Sequence, residues 1–185
     1  AIHGELVFMA TLDAKLVALH RKDGSVAWQV DIGDHEVGYS ATAAPLVVGN
    51  MVITGVAGGE YGAPGYVDAY DALTGKQLWR RLTIPTAGEP GNETWTGDSW
   101  KNGGGPTWAT GSYDPELNLI LWPTGNPAPD WDGNARLGDN LYTNSVIALK
   151  PESGELVWHF QFTPHDVWDF DATNGLVVAD LDLEG

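Results

Sequence analysis

The sequence contains no cysteine, few basic residues and no long apolar run. Without cysteine, the composition gives no direct indication of the redox compartment. Nine Lys or Arg residues stand against 25 Asp or Glu residues, so the formal net charge is −16. No basic stripe is therefore available for nucleic acid or an anionic membrane surface, and the expected partners are small neutral molecules, cations or a basic protein. A run of about 18 apolar residues, which a membrane span requires, is also missing.

Both ends of the chain have the character of interrupted strands. The first nine residues lack the basic region of a signal peptide, and Leu6–Ala10 has the pattern of a strand with no preceding segment. Residues 177–181 are also strand-like at the point where the sequence stops. We therefore expect one partial domain over residues 1–185, truncated at both ends.

Helical periodicity is weak, whereas turn-forming and aromatic residues are abundant. The chain has 24 Gly and 11 Pro without a three-residue period, which excludes collagen and favours a turn-rich all-β fold. Nine residues are Trp. Because an indole combines a large apolar area with an N–H group that needs a partner, this number indicates a repeated structural role.

One short pattern occurs three times, in residues 18–28, 69–79 and 148–158. In each copy an Ala precedes the final Trp by ten positions and a Gly precedes it by four. The pattern predicts a β-hairpin in which the Gly adopts positive φ in the turn and the second strand carries the Trp. Such a unit cannot bury its own face, and stacked radially it becomes a blade of a β-propeller. A β-sandwich with coincidental Trp positions is the alternative.

The intervals between the three repeated Trp residues predict where a blade is enlarged. They are 79 − 28 = 51 and 158 − 79 = 79 residues. The first suits a four-stranded blade, and the second requires an insertion, which we place at Thr86 to Pro106.

The repeat resembles the tryptophan-docking motif of PQQ-dependent alcohol dehydrogenases of the methanol and ethanol type, the lanthanide-using members included. The resemblance covers essentially the whole chain. It implies about three blades of an eight-bladed β-propeller, with the other blades before and after this chain. The segments that carry it are residues 42–45, 58–62, 97–101 with 103–105, 112–119, 124–129, 164–166 and 168–171.

Two candidate metal ligands follow predicted strands. Glu60 stands among Gly58, Gly59 and Gly62, which allow close approach of the backbone, although a solvated loop carboxylate is the alternative. Asn126 precedes a Pro-Ala-Pro run and would otherwise be a turn residue. The resemblance implies that both bind the metal ion beneath PQQ, where a neutral amide oxygen suits a hard cation.

Asp169 and Asp171 are two carboxylates separated by one residue. On an extended segment both would project to the same side and repel unless a cation or proton lies between them. Their neighbours Trp168 and Phe170 indicate partial burial, although Asp169 could instead cap a turn while Asp171 faces water. The resemblance implies that Asp169 is both the catalytic base and a metal ligand. It makes Asp171 the additional carboxylate of lanthanide-using members, so we expect a lanthanide ion in preference to Ca²⁺.

The cofactor site is assigned by the same resemblance. Trp108 matches the indole on which the flat PQQ ring lies, whereas a core or docking Trp is the alternative. Thr42, Ala57, Gly58 and Gly59 match positions that hydrogen-bond PQQ. At Ala57 the best-known members have Ser, so only a backbone contact is expected there.

Several other polar residues are predicted to have structural roles. His165 is expected to be a structural loop residue, because no pair of His has the spacing of metal ligands. The segment 130–134 lacks the terminal Glu of an EF-hand and is not assigned as a calcium loop. The remaining loop acids are expected to be mostly turn acids or surface charge: Asp98, Asp114, Asp130, Asp132 and Asp139.

The resemblance implies a periplasmic enzyme that oxidises primary alcohols to aldehydes and passes electrons to a c-type cytochrome. It also allows a homodimer of the full-length protein. The family's adjacent-cysteine pair and its Arg or Lys near the quinone are missing from this sequence, so the chain by itself is expected to be inactive. The alternatives are a cofactor-free scaffold propeller and a sugar-oxidising quinoprotein.

Overall fold

A computed structural model of the chain describes residues 1–182, which form three four-stranded antiparallel sheets. In each sheet the strands are neighbours in chain order, as in a meander. The first sheet contains β1 (Ile2–His3), β2 (Leu6–Ala10), β3 (Lys15–His20) and β4 (Val26–Asp31). The second contains β5 (Leu46–Val48), β6 (Met51–Gly55), β7 (Tyr66–Asp71) and β8 (Gln77–Leu82). The third contains β9 (Ser112–Asp114), β10 (Leu119–Pro123), β11 (Ser145–Leu149) and β12 (Leu156–Gln161). The all-β, partial-propeller prediction is confirmed.

The helical content of residues 1–182 is limited to short 3₁₀ helices. None of them has the length and apolar character needed to cross a membrane. The predicted insertion is confirmed in part. Two of these helices and no strand lie between β8 and β9, but a second enlarged loop, with a further 3₁₀ helix, lies between β10 and β11. The five helices are His35–Val37, Gly59–Tyr61, Asn92–Thr94, Ser99–Asn102 and Gly133–Arg136.

The ten-residue spacing of the repeat has a simple structural cause. In each sheet the repeated Ala lies directly opposite the repeated Trp across the last two strands, next to a shift in register. Each of these Ala residues is fully buried. The turn glycines Gly24, Gly75 and Gly154 have φ of 74°, 72° and 68°, so the predicted positive φ is confirmed.

The Trp of one repeat docks on the turn of the next. Trp28 Nε1 donates a hydrogen bond to the Ala72 carbonyl at 3.0 Å. Its ring covers Gly75, where a Cβ atom would lie only 2.7 Å from the indole. Trp79 docks on the third repeat in the same way. Trp28 and Trp79 therefore join neighbouring sheets.

The second sheet is buried on both faces. Val52 and Tyr70 belong to a core shared with the first sheet, whereas Ile53 and Val67 belong to a core shared with the third. Because successive side chains of a strand point to opposite faces, one sheet serves two cores. Full burial of each such side chain contributes roughly 1.5–3 kcal/mol. A β-sandwich has one core between two sheets, so the sandwich alternative does not describe this chain.

The expected strand at residues 177–181 is not present. No strand lies between residues 162 and 182, and Val177 is 91% exposed. Just before this segment, Ser112 Oγ donates to the Leu176 carbonyl at 2.5 Å. A strand-like composition does not form a strand where no neighbouring strand supplies backbone partners.

Candidate functional site

A cavity of about 500 Å³ gathers most of the predicted site residues, although they span 130 positions of the sequence, from residue 42 to residue 171. Seven of the nine predicted residues line it, and two further residues, Pro106 and Asp130, complete the wall. The loops that supply these residues lie beyond the strands of the second and third sheets. The predicted residues that line the cavity are Thr42, Ala57, Glu60, Trp108, Asn126, Asp169 and Asp171.

Glu60 lies in a 3₁₀ turn whose glycines pack against the chain itself. A Cβ atom on Gly58 would lie 2.5 Å from the carbonyl oxygen of Gly38, and one on Gly59 would lie 2.6 Å from Pro106 Cδ. Gly58 also has a φ of 121°, which side chains rarely adopt. Both glycines are buried and neither lines the cavity, whereas Glu60 is exposed at its edge. Their role in cofactor binding stays a prediction.

The hydrogen-bonding groups of Ala57 and Thr42 are partly occupied by the protein. The backbone N–H of Ala57 donates to the Ser40 carbonyl at 2.8 Å, and its carbonyl accepts from the Ser40 N–H at 3.3 Å. Thr42 Oγ1 donates to the Trp108 carbonyl at 3.0 Å. A ligand in the cavity would therefore meet the Ala57 methyl group and the remaining lone pairs of the Thr42 hydroxyl.

Trp108 is positioned by the residue before it. The fully buried Thr107 donates its backbone N–H to the Val56 carbonyl at 2.8 Å and its hydroxyl to the Tyr66 carbonyl at 2.6 Å. These bonds fix the segment against the end of the second sheet. Trp108 itself is 38% exposed and lines the cavity, so it is neither a core residue nor a docking Trp of the repeat.

Asn126 is a buried residue just beyond β10 and is held on three sides. Its carbonyl accepts from the Gly105 N–H at 2.9 Å, and its own N–H donates to Asp171 Oδ1 at 2.8 Å. Its side-chain Nδ2 donates to Asp130 Oδ1 at 2.8 Å. Asn126 therefore connects two acidic side chains of the cavity, Asp171 through its backbone N–H and Asp130 through its side-chain amide.

The segment that carries Asp169 and Asp171 is irregular, so its predicted extended conformation was wrong. Both residues have left-handed backbones, with φ of 60° and 49°. Trp168 and Phe170 stack on each other with centroids 5.5 Å apart, but they are 58% and 65% exposed and do not bury Asp169. The two carboxylates nevertheless line the same cavity.

The cause of this conformation is Asp166, a residue that the sequence did not single out. Its fully buried carboxylate accepts from the backbone N–H groups of Trp168 and Phe170, both at 2.9 Å. It also accepts from Asn144 Nδ2 at 2.6 Å. An Asp that bonds backbone N–H groups shortly after itself is a common turn device, which is the signal that could have identified it. The neighbouring His165 contacts the Gly138 carbonyl through Nδ1 at 2.8 Å, as expected of a loop residue.

The remaining loop acids are mostly turn or surface acids, as predicted, and Asp130 is the exception. Asp132 accepts from the Asn134 N–H in a turn, Asp98 pairs with Lys101 at the surface and Asp114 accepts from backbone N–H groups. Asp130 instead lines the cavity and bonds the Asn126 side chain.

Two of the cavity acids, Asp130 and Asp171, have raised pKa values. Burial raises the pKa of Asp171, and the charge of Asp169 adds to this, against the opposing hydrogen bond from the Asn126 N–H. Burial also raises the pKa of Asp130, and the charges of Asp169 and Glu60 add to it. Clustered carboxylates of this kind favour a bound proton or cation.

The donor set fits a hard cation, since it consists of carboxylate oxygens and one amide oxygen. Within residues 1–182, however, no three acidic or His side chains are already close enough to hold a metal ion together. Coordination by Glu60, Asp169 and Asp171 with Asn126 would therefore require the carboxylates to move inward across the cavity.

Comparison with known proteins identifies the family to which this chain belongs. Residues 1–185 match the family described as PQQ: Glucose/ethanol/alcohol dehydrogenase, beta-propeller domain. The chain is 50% identical to the quinoprotein alcohol dehydrogenase PedH of Pseudomonas putida, over 96% of this chain and 32% of that protein. It is 38% identical to the lanthanide-dependent methanol dehydrogenase of Methylorubrum extorquens, over 97% of this chain and 33% of that protein.

A solved structure agrees with these relatives. A europium-containing methanol dehydrogenase matches with a TM-score of 0.93 and 37% identity, over 98% of this chain and 34% of that one. The chain thus spans about a third of the length of the proteins it matches. On this basis the chain belongs to the PQQ-dependent alcohol dehydrogenase family and forms part of that family's β-propeller.

Proposed function

We propose that the intact protein oxidises primary alcohols, of the methanol or ethanol class, to aldehydes with PQQ and a bound metal ion. The observation that carries this proposal is a single cavity lined by four acids, an amide and an indole. Family membership supplies the reaction class, and the names of the relatives supply the substrate class for those proteins.

Glu60, Asn126, Asp169 and Asp171 would hold the metal ion, and Trp108 would provide the flat apolar surface for the quinone. When bound, PQQ supplies a two-electron acceptor and the metal a Lewis acid. Asp171 adds a third carboxylate, and a trivalent ion has more charge to neutralise than Ca²⁺. The proposed metal is therefore a lanthanide ion, with Ca²⁺ as the alternative.

Asp169 would act as the general base. Its carboxylate lies at the exposed side of the cavity, where an alcohol can reach it, and it would accept the hydroxyl proton of the substrate. The buried Asp166 holds the backbone on both sides of Asp169 and so limits its movement. A base fixed in this way supports catalysis by orientation of the substrate.

The remaining family features are also proposals for the intact protein. They are an eight-bladed propeller to which the three sheets contribute about three blades, a c-type cytochrome as electron acceptor, a periplasmic location and a homodimer. The net charge of −16 suits a basic electron acceptor.

Metal replacement in the intact protein tests the proposal. PQQ-loaded protein, stripped of metal and reconstituted with lanthanum, should oxidise ethanol or methanol with an artificial electron acceptor. Asp171→Ala should lower the lanthanum-supported activity by about tenfold or more, because it removes a ligand. The exposed Asp139→Ala is the matched control and should retain activity.

Two results would contradict the proposal at different levels. Full activity with calcium alone, unchanged in Asp171→Ala, would overturn the lanthanide preference. Failure of the intact protein to bind PQQ would overturn the dehydrogenase function and favour the cofactor-free scaffold.

A further inference from the structure

We infer that Asp130 is a positioning residue that fixes the orientation of the Asn126 amide, so that the amide oxygen faces a bound cation. The inference rests on the proposed function, because it concerns the same metal site. It assigns a role to a carboxylate that lines the cavity but is outside the proposed ligand set.

The hydrogen bond between the two side chains determines which atom of the amide points where. Asn126 Nδ2 donates to Asp130 Oδ1 at 2.8 Å, and its other contact, to the Pro127 carbonyl, is at 3.5 Å. An ionised carboxylate can only accept hydrogen bonds, so the amide must present its nitrogen to Asp130. The amide oxygen of Asn126 is then directed away from Asp130 and is available to a cation.

Asp130 is held in place by a buried cation. Arg136 is fully buried, and its Nη2 donates to the Asp130 carbonyl at 3.0 Å while its Nε donates to the Pro129 carbonyl at 2.9 Å. Arg136 Nη2 also contacts the Asp166 carbonyl. One guanidinium thus connects the loop that carries Asp130 to the residue that shapes the Asp169 segment.

The orientation of the Asn126 amide matters because only one of its two ends can bind a metal ion. The nitrogen and oxygen of a side-chain amide are nearly equal in shape, so an unrestrained Asn can present either one to a metal. Only the oxygen is a ligand, and a partner that fixes the amide favours coordination without itself touching the ion. Loss of such a partner typically weakens metal affinity by about 10- to 100-fold.

Terbium luminescence in the intact protein tests the inference without depending on activity. Asp130→Ala should weaken terbium affinity about 10- to 100-fold. It should also add about one water molecule to the bound ion, measured from luminescence lifetimes in H₂O and D₂O, because the amide oxygen no longer occupies its position. Asp130→Glu, which keeps a carboxylate that can only accept, should give a lower water number than Asp130→Ala.

Asn126→Ala and the double variant separate positioning from a general effect of charge. Asn126→Ala should add the same water, and Asp130→Ala combined with Asn126→Ala should bind terbium within about twofold of Asn126→Ala alone. Thermal unfolding confirms that each variant is folded, and Asp139→Ala controls for the loss of one negative charge.

Each contrary outcome has a distinct meaning. Additive losses of affinity, an unchanged water number in Asp130→Ala, or an equal water number in Asp130→Glu and Asp130→Ala would overturn the positioning role. Terbium affinity that is equal in Asp130→Ala and the unchanged protein would also overturn it while leaving the proposed function intact. Failure of the unchanged protein to bind terbium would instead contradict the proposed metal site.

Discussion

The backbone N–H of Asn126 donates a hydrogen bond to Oδ1 of Asp171 at 2.8 Å. The two residues are 45 positions apart, one just after β10 and the other in the irregular segment beyond β12. Their contact fixes two of the four candidate ligands relative to each other.

Gly125→Ala should disturb this relationship directly. A Cβ atom on Gly125 would lie 2.6 Å from Asp171 Oδ1 and 2.9 Å from Pro106 Cγ, so one of these neighbours must move. We expect terbium affinity to fall about tenfold, by displacement of a ligand, and the free energy of unfolding to fall by about 1–3 kcal/mol. Terbium titration and urea unfolding measure the two effects.

Gly175→Ala is the matched control for this variant, because a Cβ atom there would meet nothing within 4 Å. It should change neither quantity. Unchanged terbium affinity in Gly125→Ala would show that the contact with Asp171 is not needed for cation binding.

Asp166→Ala should destabilise the protein and release the Asp169 segment. The substitution leaves three donors without their acceptor: the N–H groups of Trp168 and Phe170, and the Asn144 amide. The Asn144 donor is buried, so leaving it unpaired costs about 1–3 kcal/mol, whereas the two backbone N–H groups are only partly buried. We expect faster hydrogen exchange at the two backbone amides and a larger loss in kcat than in substrate affinity. Exchange rates equal to those of the unchanged protein would contradict this account.

Trp79→Phe tests the docking of one repeat on the next. Trp79 Nε1 donates to the buried Pro151 carbonyl at 2.8 Å, and phenylalanine keeps an aromatic ring but loses this donor and part of the apolar area. The expected loss in unfolding free energy is about 1–3 kcal/mol. Trp131→Phe, at a 69% exposed position, should stay within about 0.5 kcal/mol of the unchanged protein. Equal effects of the two substitutions would argue against a stabilising role for docking.

The raised pKa of Asp171 predicts how the stability of the metal-free protein depends on pH. Burial, with the charge of Asp169, makes the folded protein hold a proton that the unfolded chain releases. The stabilising contribution is therefore complete below the ordinary pKa of an aspartate and is lost as the pH rises through the raised value. In Asp171→Asn the side chain does not titrate, so this loss of stability with rising pH is absent.

Urea unfolding in the presence of a chelator measures this dependence. The stability advantage of Asp171→Asn should grow as the pH rises above the ordinary aspartate range, and saturating terbium should reverse it. A difference between the two proteins that is constant with pH would contradict the assigned burial of Asp171.

The architecture could be predicted from the sequence because it depends on local and repeated features. The spacing of Ala, Gly and Trp follows from a hairpin in which Ala18 faces Trp28, and Gly75 is needed under the docked indole. The pairing of Ala with Trp recurs in all three repeats, and the docked indole over the next Gly occurs twice, so the copies identify both features.

The details of the site could not be predicted in the same way, because they depend on contacts between distant loops. Asp169 and Asp171 adopt left-handed backbones because Asp166 binds the N–H groups within their segment. Asp130 is drawn into the site by its bonds with Asn126 and Arg136, which no local pattern indicates. The resemblance identified the candidate ligands but not the residues that hold them.

A crystal structure of the intact protein with PQQ and a lanthanide tests the central claim most directly, by anomalous scattering at the lanthanide edge. We predict one strong peak in the cavity, at about 2.3–2.6 Å from oxygen atoms of Glu60, Asn126, Asp169 and Asp171, with PQQ against Trp108. A peak elsewhere, or a peak in the cavity with Asp171 turned away from it, would contradict the account.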